Sequence, residues 1–202
     1  MNIVLDLDGC IFDFNTAYAK LLAKSREGDK LPAGWKTDPA LLAPVWDWDT
    51  LHGYSEEVQR EVWEQSILPA KKNFWRKLGL LPGAKETLIQ LDLLTREDHN
   101  LYFMTHRMGE TAKYQTEKAL YEVGISYPTV LLCNPAYKSD IALALECDVF
   151  IEDKLETVMK AEDSQIPNIY LIDAPYNAGE LLSGVRVVSV KEALEHCGLW
   201  TT

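Results

Sequence analysis

Two aspartates one residue apart follow the first apolar segment of the chain. Ile3-Val4-Leu5 is typical of a short buried strand, and Asp6 and Asp8 come directly after it, with Gly9 next. In a parallel sheet, ligands bind beyond the carboxyl ends of the strands. Gly9 allows a sharp turn, and the two carboxylates diverge, so that one can face a substrate while the other swings aside. The pattern alone also fits an exposed turn. An EF-hand calcium loop is excluded, because a strand and not a helix precedes it.

A hydroxyl, a lysine and a second acidic pair follow three later apolar runs. These residues are Thr105, with His106 and Arg107 behind it, then Lys138, then Glu152 and Asp153. Each of them alone is more often a helix cap or a solvated residue. Their order along one chain favours one shared site, because the carboxyl ends of parallel strands meet at the same edge of a sheet.

The elements that must position these residues alternate between strand and helix. Short, mostly continuous apolar runs lie at 3–5, 101–104, 130–132, 149–151, 169–172 and 185–190. A strand with one exposed face would instead alternate apolar and polar residues. Continuous runs suit strands that are buried on both faces. Segments of helical spacing lie between several of them, including 84–94, 109–123 and 138–146. The sequence therefore predicts an α/β fold, a doubly wound parallel sheet with helices on both faces.

The region 14–81 breaks this alternation. It contains no convincing buried strand, and its helical patterns cover 14–23 and 55–67, the second opened by Ser55. Five of the six tryptophans of the chain lie in it: Trp35, Trp46, Trp48, Trp63 and Trp75. They build a small helical core or form a lid that stacks on a planar ligand, and both interpretations stay open. We predict a helical cap over 14–81, inserted into an α/β core formed by 1–13 and 82–202.

The charge of the chain limits its partners. Its 202 residues include 20 Lys and Arg and 31 Asp and Glu, for a formal net charge of −11. This balance argues against a nucleic acid polymer or an anionic membrane surface, because both require a basic face. An anionic small molecule stays compatible only if a metal ion or a few well-placed cations reverse the local field.

The cysteines and the first residues indicate the compartment. Cys10, Cys133, Cys147 and Cys197 have neither CxxC nor zinc-ligand spacing, so we expect free thiols in a reducing environment. The opening MNIVLDLDGC does not look like a signal peptide, and no stretch approaches the roughly 18 apolar residues that span a bilayer. We expect a soluble cytoplasmic protein without a membrane partner, and a homodimer is left open.

The ordered set of DxDG, Thr, Lys and Glu-Asp resembles the four motifs of the haloacid dehalogenase (HAD) superfamily of phosphatases. The resemblance covers residues 3–153, and the insertion resembles the helical cap of that superfamily. A narrower resemblance is to the 5′(3′)-deoxyribonucleotidases. It is carried by DLDGCIFDF (6–14), NFW (73–75) with LLPGA (80–84), DVFIED (148–153) and DAPYN (173–177). Thr105-His106-Arg107 departs from the family, in which some members carry Thr-Ser or Thr-Ala.

The resemblance implies a magnesium site and two catalytic carboxylates. Asp6 is then the nucleophile that forms an aspartyl-phosphate, and Asp8 is the acid that protonates the leaving oxygen and later activates water. Asp6, the backbone carbonyl of Asp8, and Asp153 are expected to hold Mg²⁺, whose preferred ligands are hard oxygens.

The resemblance also implies roles for the remaining residues of the site. Thr105 would donate to a phosphoryl oxygen, and Lys138 would offset the negative charge of Asp6 and the phosphate. The expected substrate-binding residues are Phe14, Trp75, Thr105, His106, Arg107 and Lys138, with Trp46 and Trp48 as further neighbours of the base. Glu152 is expected to orient metal-bound water or Lys138, and Asp148 to have a supporting role only.

The resemblance implies an Mg²⁺-dependent phosphomonoesterase that acts on deoxyribo- or ribonucleoside monophosphates. Two alternatives stay open: a phosphatase for another small phosphoester such as a sugar phosphate, and a non-catalytic phosphate-binding module. A haloalkanoate dehalogenase is disfavoured, because it needs neither an acid at Asp8 nor a magnesium ligand at Asp153. The base, the 5′ or 3′ position and the choice of sugar are left open.

Overall fold

A six-stranded parallel sheet forms the centre of the computed structural model, which describes residues 1–38 and 41–200. The strands are β1 (Asn2–Leu5), β2 (Asn100–Thr105), β3 (Thr129–Leu132), β4 (Val149–Glu152), β5 (Asn168–Ile172) and β6 (Val185–Val187). Their spatial order is β3-β2-β1-β4-β5-β6, and every neighbouring pair is parallel. The predicted α/β fold with a parallel sheet is confirmed.

Eight α-helices accompany the sheet within the described residues. They are α1 (Phe14–Leu22), α2 (Trp48–Leu51), α3 (Glu56–Val62), α4 (Ala84–Leu94), α5 (Ala112–Glu122), α6 (Lys138–Ala144), α7 (Leu155–Glu162) and α8 (Val190–His196). Side-chain caps fix several of the starts: Asp13 accepts a hydrogen bond from the backbone of Thr16, and Ser55 accepts one from Val58. Ser189 caps α8 in the same way, so the strand predicted over 185–190 is wrong at its end and Val190 begins a helix.

The alternation of side chains along the strands divides the core into two hydrophobic clusters. In β1, Ile3 and Leu5 join one cluster, and Val4 joins the other. The first cluster includes buried residues of α4, α5 and α8, and the second includes Ala142 of α6 and Val158 of α7. Because successive strand residues point to opposite faces, helices cover both sides of the sheet.

The described part of the inserted region, 14–38 and 41–81, contributes no strand to the sheet. It holds α1, α2, α3, a π-helical turn at Trp63–Ile67 and short 3-10 turns. Its buried side chains, among them Trp35, Trp48 and Ile67, belong to the first hydrophobic cluster together with Ile3 and Leu5 of the sheet. The cap and the core thus share one apolar interior, and the domain boundaries stay a prediction.

The strand order creates a switch point beside β1. The chain passes from β1 to β2 on one side and later returns to β4 on the other side. In open α/β sheets a crevice for ligands forms where the strand order reverses, outside the carboxyl ends of the strands. The residues that follow β1, β2 and β4 lie around this crevice. None of the helices in the described residues is long and apolar enough to cross a membrane.

Candidate active site

A cavity of about 280 Å³ lies at the switch point, between the sheet and the inserted region. Its wall on the sheet side includes Asp6, Asp8, Thr105, His106, Lys138, Glu152 and Asp153. Residues predicted from three strand ends and one helix start therefore meet in one place. The wall on the cap side includes Phe14, Asn15, Tyr18, Trp46, Asp47, Trp48, Asp49, Trp63 and Trp75.

Lys138, the first residue of α6, bridges two buried carboxylates. Its Nζ lies 2.6 Å from Oδ1 of Asp6 and 2.6 Å from Oε2 of Glu152. Burial by itself lowers the pKa of the Lys138 ammonium, but the two carboxylates raise it well above its usual value. The other Glu152 oxygen accepts from the backbone amides of Asp153 and Lys154, which fixes the carboxylate towards Lys138. This contact fits the expectation that Glu152 orients Lys138, which stays a prediction.

Asp6 and Asp153 form a buried pair of acids that could hold a metal ion. Their carboxylate oxygens, with the sulfur of Cys10, lie within 4.8 Å of one another. Burial, with the charge of Glu152 added, raises the pKa of Asp6 to about 7 and that of Asp153 well above its usual value. A cation between them would relieve this repulsion. Burial also raises the pKa of the Cys10 thiol. The two carboxylates offer the hard oxygen ligands that an ion such as Mg²⁺ prefers.

Gly9 allows the loop that follows β1 to approach Asp153. Its φ of +86° lies in the left-handed region, and a Cβ on it would sit 2.0 Å from Oδ2 of Asp153. The backbone after Asp8 can therefore pass beside the acidic pair only because no side chain is present.

Tyr176 and Asn177 hold Asp153 in place, and the sequence analysis assigned a role to neither of them. The hydroxyl of Tyr176 donates to Oδ2 of Asp153, and Nδ2 of Asn177 donates to the backbone carbonyls of Asp153 at 2.6 Å and Ile172 at 2.7 Å. Asn177 is in turn held by the guanidinium of Arg186. The signal was the DAPYN stretch (173–177), which follows β5 at the same edge of the sheet.

Arg107 is not among the residues that line the cavity, although a residue that binds substrate there would be expected to line it. Its Nε and Nη2 donate to the two oxygens of Asp8 at 2.9 and 2.7 Å, and its Nη1 donates to Oγ1 of Thr116 at 3.0 Å. Its side chain is 0% exposed. Its donors are engaged within the protein in this arrangement, and its assignment to substrate binding stays a prediction. Thr105 lies beside this pair, with Oγ1 3.4 Å from Oδ2 of Asp8.

Trp75 is a core residue more than a platform for a base. It is 2% exposed, its ring stacks on Phe14 at 5.9 Å, and its Nε1 donates to the carbonyl of Met108 at 2.9 Å. Little of its face is left for a ligand, which favours a packing role, and its assignment to base stacking stays a prediction. Phe14 remains half-buried in the cavity wall.

Trp46 offers the accessible aromatic surface that Trp75 lacks. It lines the cavity and is 48% exposed. Its ring packs against Tyr176 at 5.6 Å, and the ammonium of Lys154 lies 4.3 Å from its centroid. Trp48 also lines the cavity, but it is 4% exposed and its Nε1 donates to Asn15. The loop before α2 thus brings a tryptophan over the residues that hold Asp153.

His106 and Asp148 occupy different ends of the sheet. His106 is exposed at the cavity, with Nδ1 3.0 Å from the carbonyl oxygen of Cys133. Asp148 precedes β4, and its carboxylate accepts from the backbone amide of Asn2 at 2.7 Å, where β1 begins. Asp148 therefore lies at the amino edge of the sheet, opposite the cavity, and its supporting role stays a prediction.

The cavity is strongly acidic. Among the described residues that line it are six acids, Asp6, Asp8, Asp47, Asp49, Glu152 and Asp153, and two lysines, Lys138 and Lys154. A phosphate dianion would therefore face a cavity wall with more acids than bases. Each close pair of like charges costs roughly 4 kcal/mol at an effective dielectric of about 20. An anionic substrate therefore requires an added cation here.

The chain is similar over its whole length to several solved structures. They include a dehalogenase with a bound intermediate (16% identity, 96% of each chain, TM-score 0.55) and a hydrolase from Pseudomonas syringae (18%, 100% of each chain, 0.54). A third is a HAD-hydrolase from Bacillus subtilis bound to magnesium (14%, 98% of each chain, 0.58). The chain has the fold of the HAD-like hydrolases. No family model and no curated protein matches the sequence. None of these three proteins is described as a nucleotidase, so the resemblance to the 5′(3′)-deoxyribonucleotidases stays a prediction.

Proposed function

We propose that the chain is an Mg²⁺-dependent phosphomonoesterase that hydrolyses deoxyribo- or ribonucleoside monophosphates through an aspartyl-phosphate on Asp6. The observation that carries the proposal is the 2.6 Å contact between Asp6 and Lys138 in a cavity that also holds Asp8 and Asp153. A nucleophilic carboxylate and a phosphate dianion repel each other, and a buried ammonium beside the attacking group offsets this repulsion.

Oxygen atoms of three residues would hold the magnesium ion. They are the carboxylates of Asp6 and Asp153 and the backbone carbonyl of Asp8. The buried acidic pair and the close passage of Gly9 fit such an ion. When bound, Mg²⁺ supplies the positive charge that a phosphate needs in this acidic cavity.

The protein groups can carry out the reaction in two displacements. A carboxylate oxygen of Asp6 attacks phosphorus, the bond from phosphorus to the ester oxygen breaks, and Asp8 gives its proton to the leaving oxygen. Asp8, now a carboxylate, then takes a proton from water, which attacks the aspartyl-phosphate and releases inorganic phosphate with Asp6 restored. The Thr105 hydroxyl and Lys138 interact with the phosphoryl oxygens during both steps.

The cap side of the cavity supports a planar leaving group. Its aromatic side chains include Phe14, Tyr18, Trp46 and Trp63, of which Trp46 is the most exposed. Stacking of a base on an aromatic face contributes roughly 1–3 kcal/mol. A sugar phosphate presents no such face, so this wall favours a nucleotide over the sugar phosphate alternative.

Phosphate release from a substrate panel tests the proposal. The panel contains deoxyribo- and ribonucleoside monophosphates and deoxyribose 5-phosphate, each assayed with Mg²⁺ and with a chelator. We expect magnesium-dependent release and a kcat/KM for the preferred nucleotide about 5- to 150-fold above that for deoxyribose 5-phosphate. Equal values would favour the sugar phosphatase. Absence of magnesium-dependent turnover on every substrate would favour the non-catalytic phosphate-binding module.

A further inference from the structure

Arg107 and Asp8 form a bidentate ion pair at the back of the cavity. Nε and Nη2 of the guanidinium meet the two different oxygens of Asp8, at 2.9 and 2.7 Å. The Arg107 side chain is 0% exposed, whereas that of Asp8 is 21% exposed and lines the cavity. The fork therefore holds the carboxylate from the protein side and leaves it accessible from the substrate side.

The orientation of this guanidinium is fixed by three further groups. Nη1 donates to Oγ1 of Thr116, a buried residue of α5 whose own hydroxyl donates to the carbonyl of Ala112. The guanidinium carbon lies 4.8 Å from the ring centre of Phe12 and 5.2 Å from that of Trp75. A planar cation that packs near two aromatic rings and donates to fixed acceptors has little freedom to turn, so Arg107 holds the Asp8 carboxylate in one orientation.

We propose that Arg107 is a positioning residue that aims Asp8 at the leaving oxygen. This inference rests on the proposed function, in which Asp8 transfers the proton. When Asp8 carries that proton, one of its oxygens points to the leaving group and the other keeps its contact with Arg107. As the ester bond breaks, the proton passes to the leaving oxygen, and the resulting carboxylate regains both contacts with the guanidinium. Arg107 itself exchanges no proton.

The role predicts a dependence on the leaving group. Alkyl phosphates, such as nucleoside monophosphates, release a strongly basic oxygen and need the proton, whereas p-nitrophenyl phosphate releases a weakly basic one and needs it little. General acid catalysis contributes roughly 10²- to 10⁴-fold. Arg107→Met should therefore lower kcat/KM for a nucleoside monophosphate by about 100-fold or more and that for p-nitrophenyl phosphate by less than about 10-fold. Arg107→Lys should recover part of the loss, since it restores one donor.

Two further variants guard against a simple folding defect. Thr116→Val removes the Nη1 contact without touching Asp8, and it should show the same substrate selectivity with a smaller loss. Arg76→Met removes an exposed arginine that pairs with Glu122 on the surface, and it should change neither substrate. Melting temperatures of all variants accompany the kinetics.

The outcomes separate this inference from the proposed function. Equal losses on both substrates in Arg107→Met and Thr116→Val, with an active wild type, would show that Arg107 only supports the fold and would overturn the positioning role alone. A wild type that releases phosphate from neither substrate would overturn the proposed function and this role with it. A selective loss on the nucleotide in both variants would support the role.

Discussion

The candidate nucleophile Asp6 belongs to a buried cluster of three charged side chains, together with Lys138 and Glu152. Lys138 is shared between Asp6 and Glu152, so removing one carboxylate still leaves the ammonium with a partner. A buried charge without any partner would destabilise a fold by several kcal/mol. Because Glu152 persists, the chemistry of Asp6 can be tested separately from its structural contribution.

Asp6→Asn should abolish turnover and keep the fold. Asparagine is nearly isosteric, but its amide cannot form the acyl-phosphate, and loss of covalent catalysis should cost several powers of ten in rate. Phosphate release and the melting temperature of the metal-free protein measure the two effects. Asp140→Asn, at an exposed acid of α6, is the control. Activity above about a hundredth of wild type would contradict nucleophilic catalysis by Asp6.

Gly9→Ala should weaken magnesium binding. The new Cβ would lie only 2.0 Å from Oδ2 of Asp153, so this carboxylate would have to move. A disturbed metal ligand typically costs about 10- to 100-fold in affinity. Gly53→Ala is a matched control, since Gly53 has a similar φ of +78° but nothing within 4 Å of its Cβ position. Both variants should lose roughly 1–3 kcal/mol of stability through the backbone strain. Calorimetric titration with Mg²⁺ should separate them, and equal affinities would argue against the metal site.

At the scale of elements, the segment that leads into α2 reaches the side of the cavity on which Asp153 lies. Trp46 contacts Tyr176, which in turn holds Asp153. Trp75, near the return to the core, instead packs against Phe14, Phe74 and Arg107 inside the molecule. The two tryptophans therefore differ in what their removal should do.

Trp46→Ala should lower kcat/KM for a nucleotide by about 5- to 150-fold and affect deoxyribose 5-phosphate much less, as expected for a lost stacking partner. Its melting temperature should change little, since the side chain is 48% exposed. Trp75→Ala should cost about 3–5 kcal/mol of stability and reduce activity on both substrates. Parallel kinetics and thermal melts test the pair. A substrate-selective loss in Trp75→Ala with none in Trp46→Ala would reverse the assignment.

At the scale of the whole molecule, Asp92 joins α4 to the segment that precedes β3. Its carboxylate accepts from the amide of Ser126 at 2.6 Å and from Arg96 at 2.6 Å. Burial by itself raises the pKa of Asp92, but these hydrogen bonds lower it below its ordinary value of 3.8. A group with a depressed folded pKa stabilises the fold above its unfolded pKa, and the contribution disappears as the pH falls through the folded value.

Asp92→Asn should therefore lower the free energy of unfolding by about 1–3 kcal/mol at pH 7, and the difference from wild type should shrink below pH 3.8. Urea denaturation of both proteins at several pH values measures this difference. Asp140→Asn, at an exposed site, should show no comparable pH-dependent difference. A gap between wild type and Asp92→Asn that stays constant down to pH 3 would exclude the ionised carboxylate as its source.

The sequence by itself determined the sheet and the place of the site. Continuous apolar runs predicted the strands, since residues buried on both faces of a parallel sheet leave that pattern. Once the strands are parallel, Asp6, Thr105 and Asp153 must share one edge, and the structure places them around one cavity. Helix starts could be predicted where the capping side chain directly precedes the helix, as Ser55 does at α3. Val190 was missed because a valine run also fits the end of a strand.

Tertiary structure decided the partners of each side chain. Arg107 follows Thr105 by two residues, but whether it turns to a substrate or to Asp8 depends on Thr116 and two aromatic rings distant in sequence. The burial of Trp75 likewise depends on packing between cap and core. Asp148 lies before β4 and Asp153 after it, so the two acids lie at opposite edges of the sheet and have different partners. Spacing along a chain fixes the strand and the edge, whereas contacts between separate elements fix the direction in which a side chain is held.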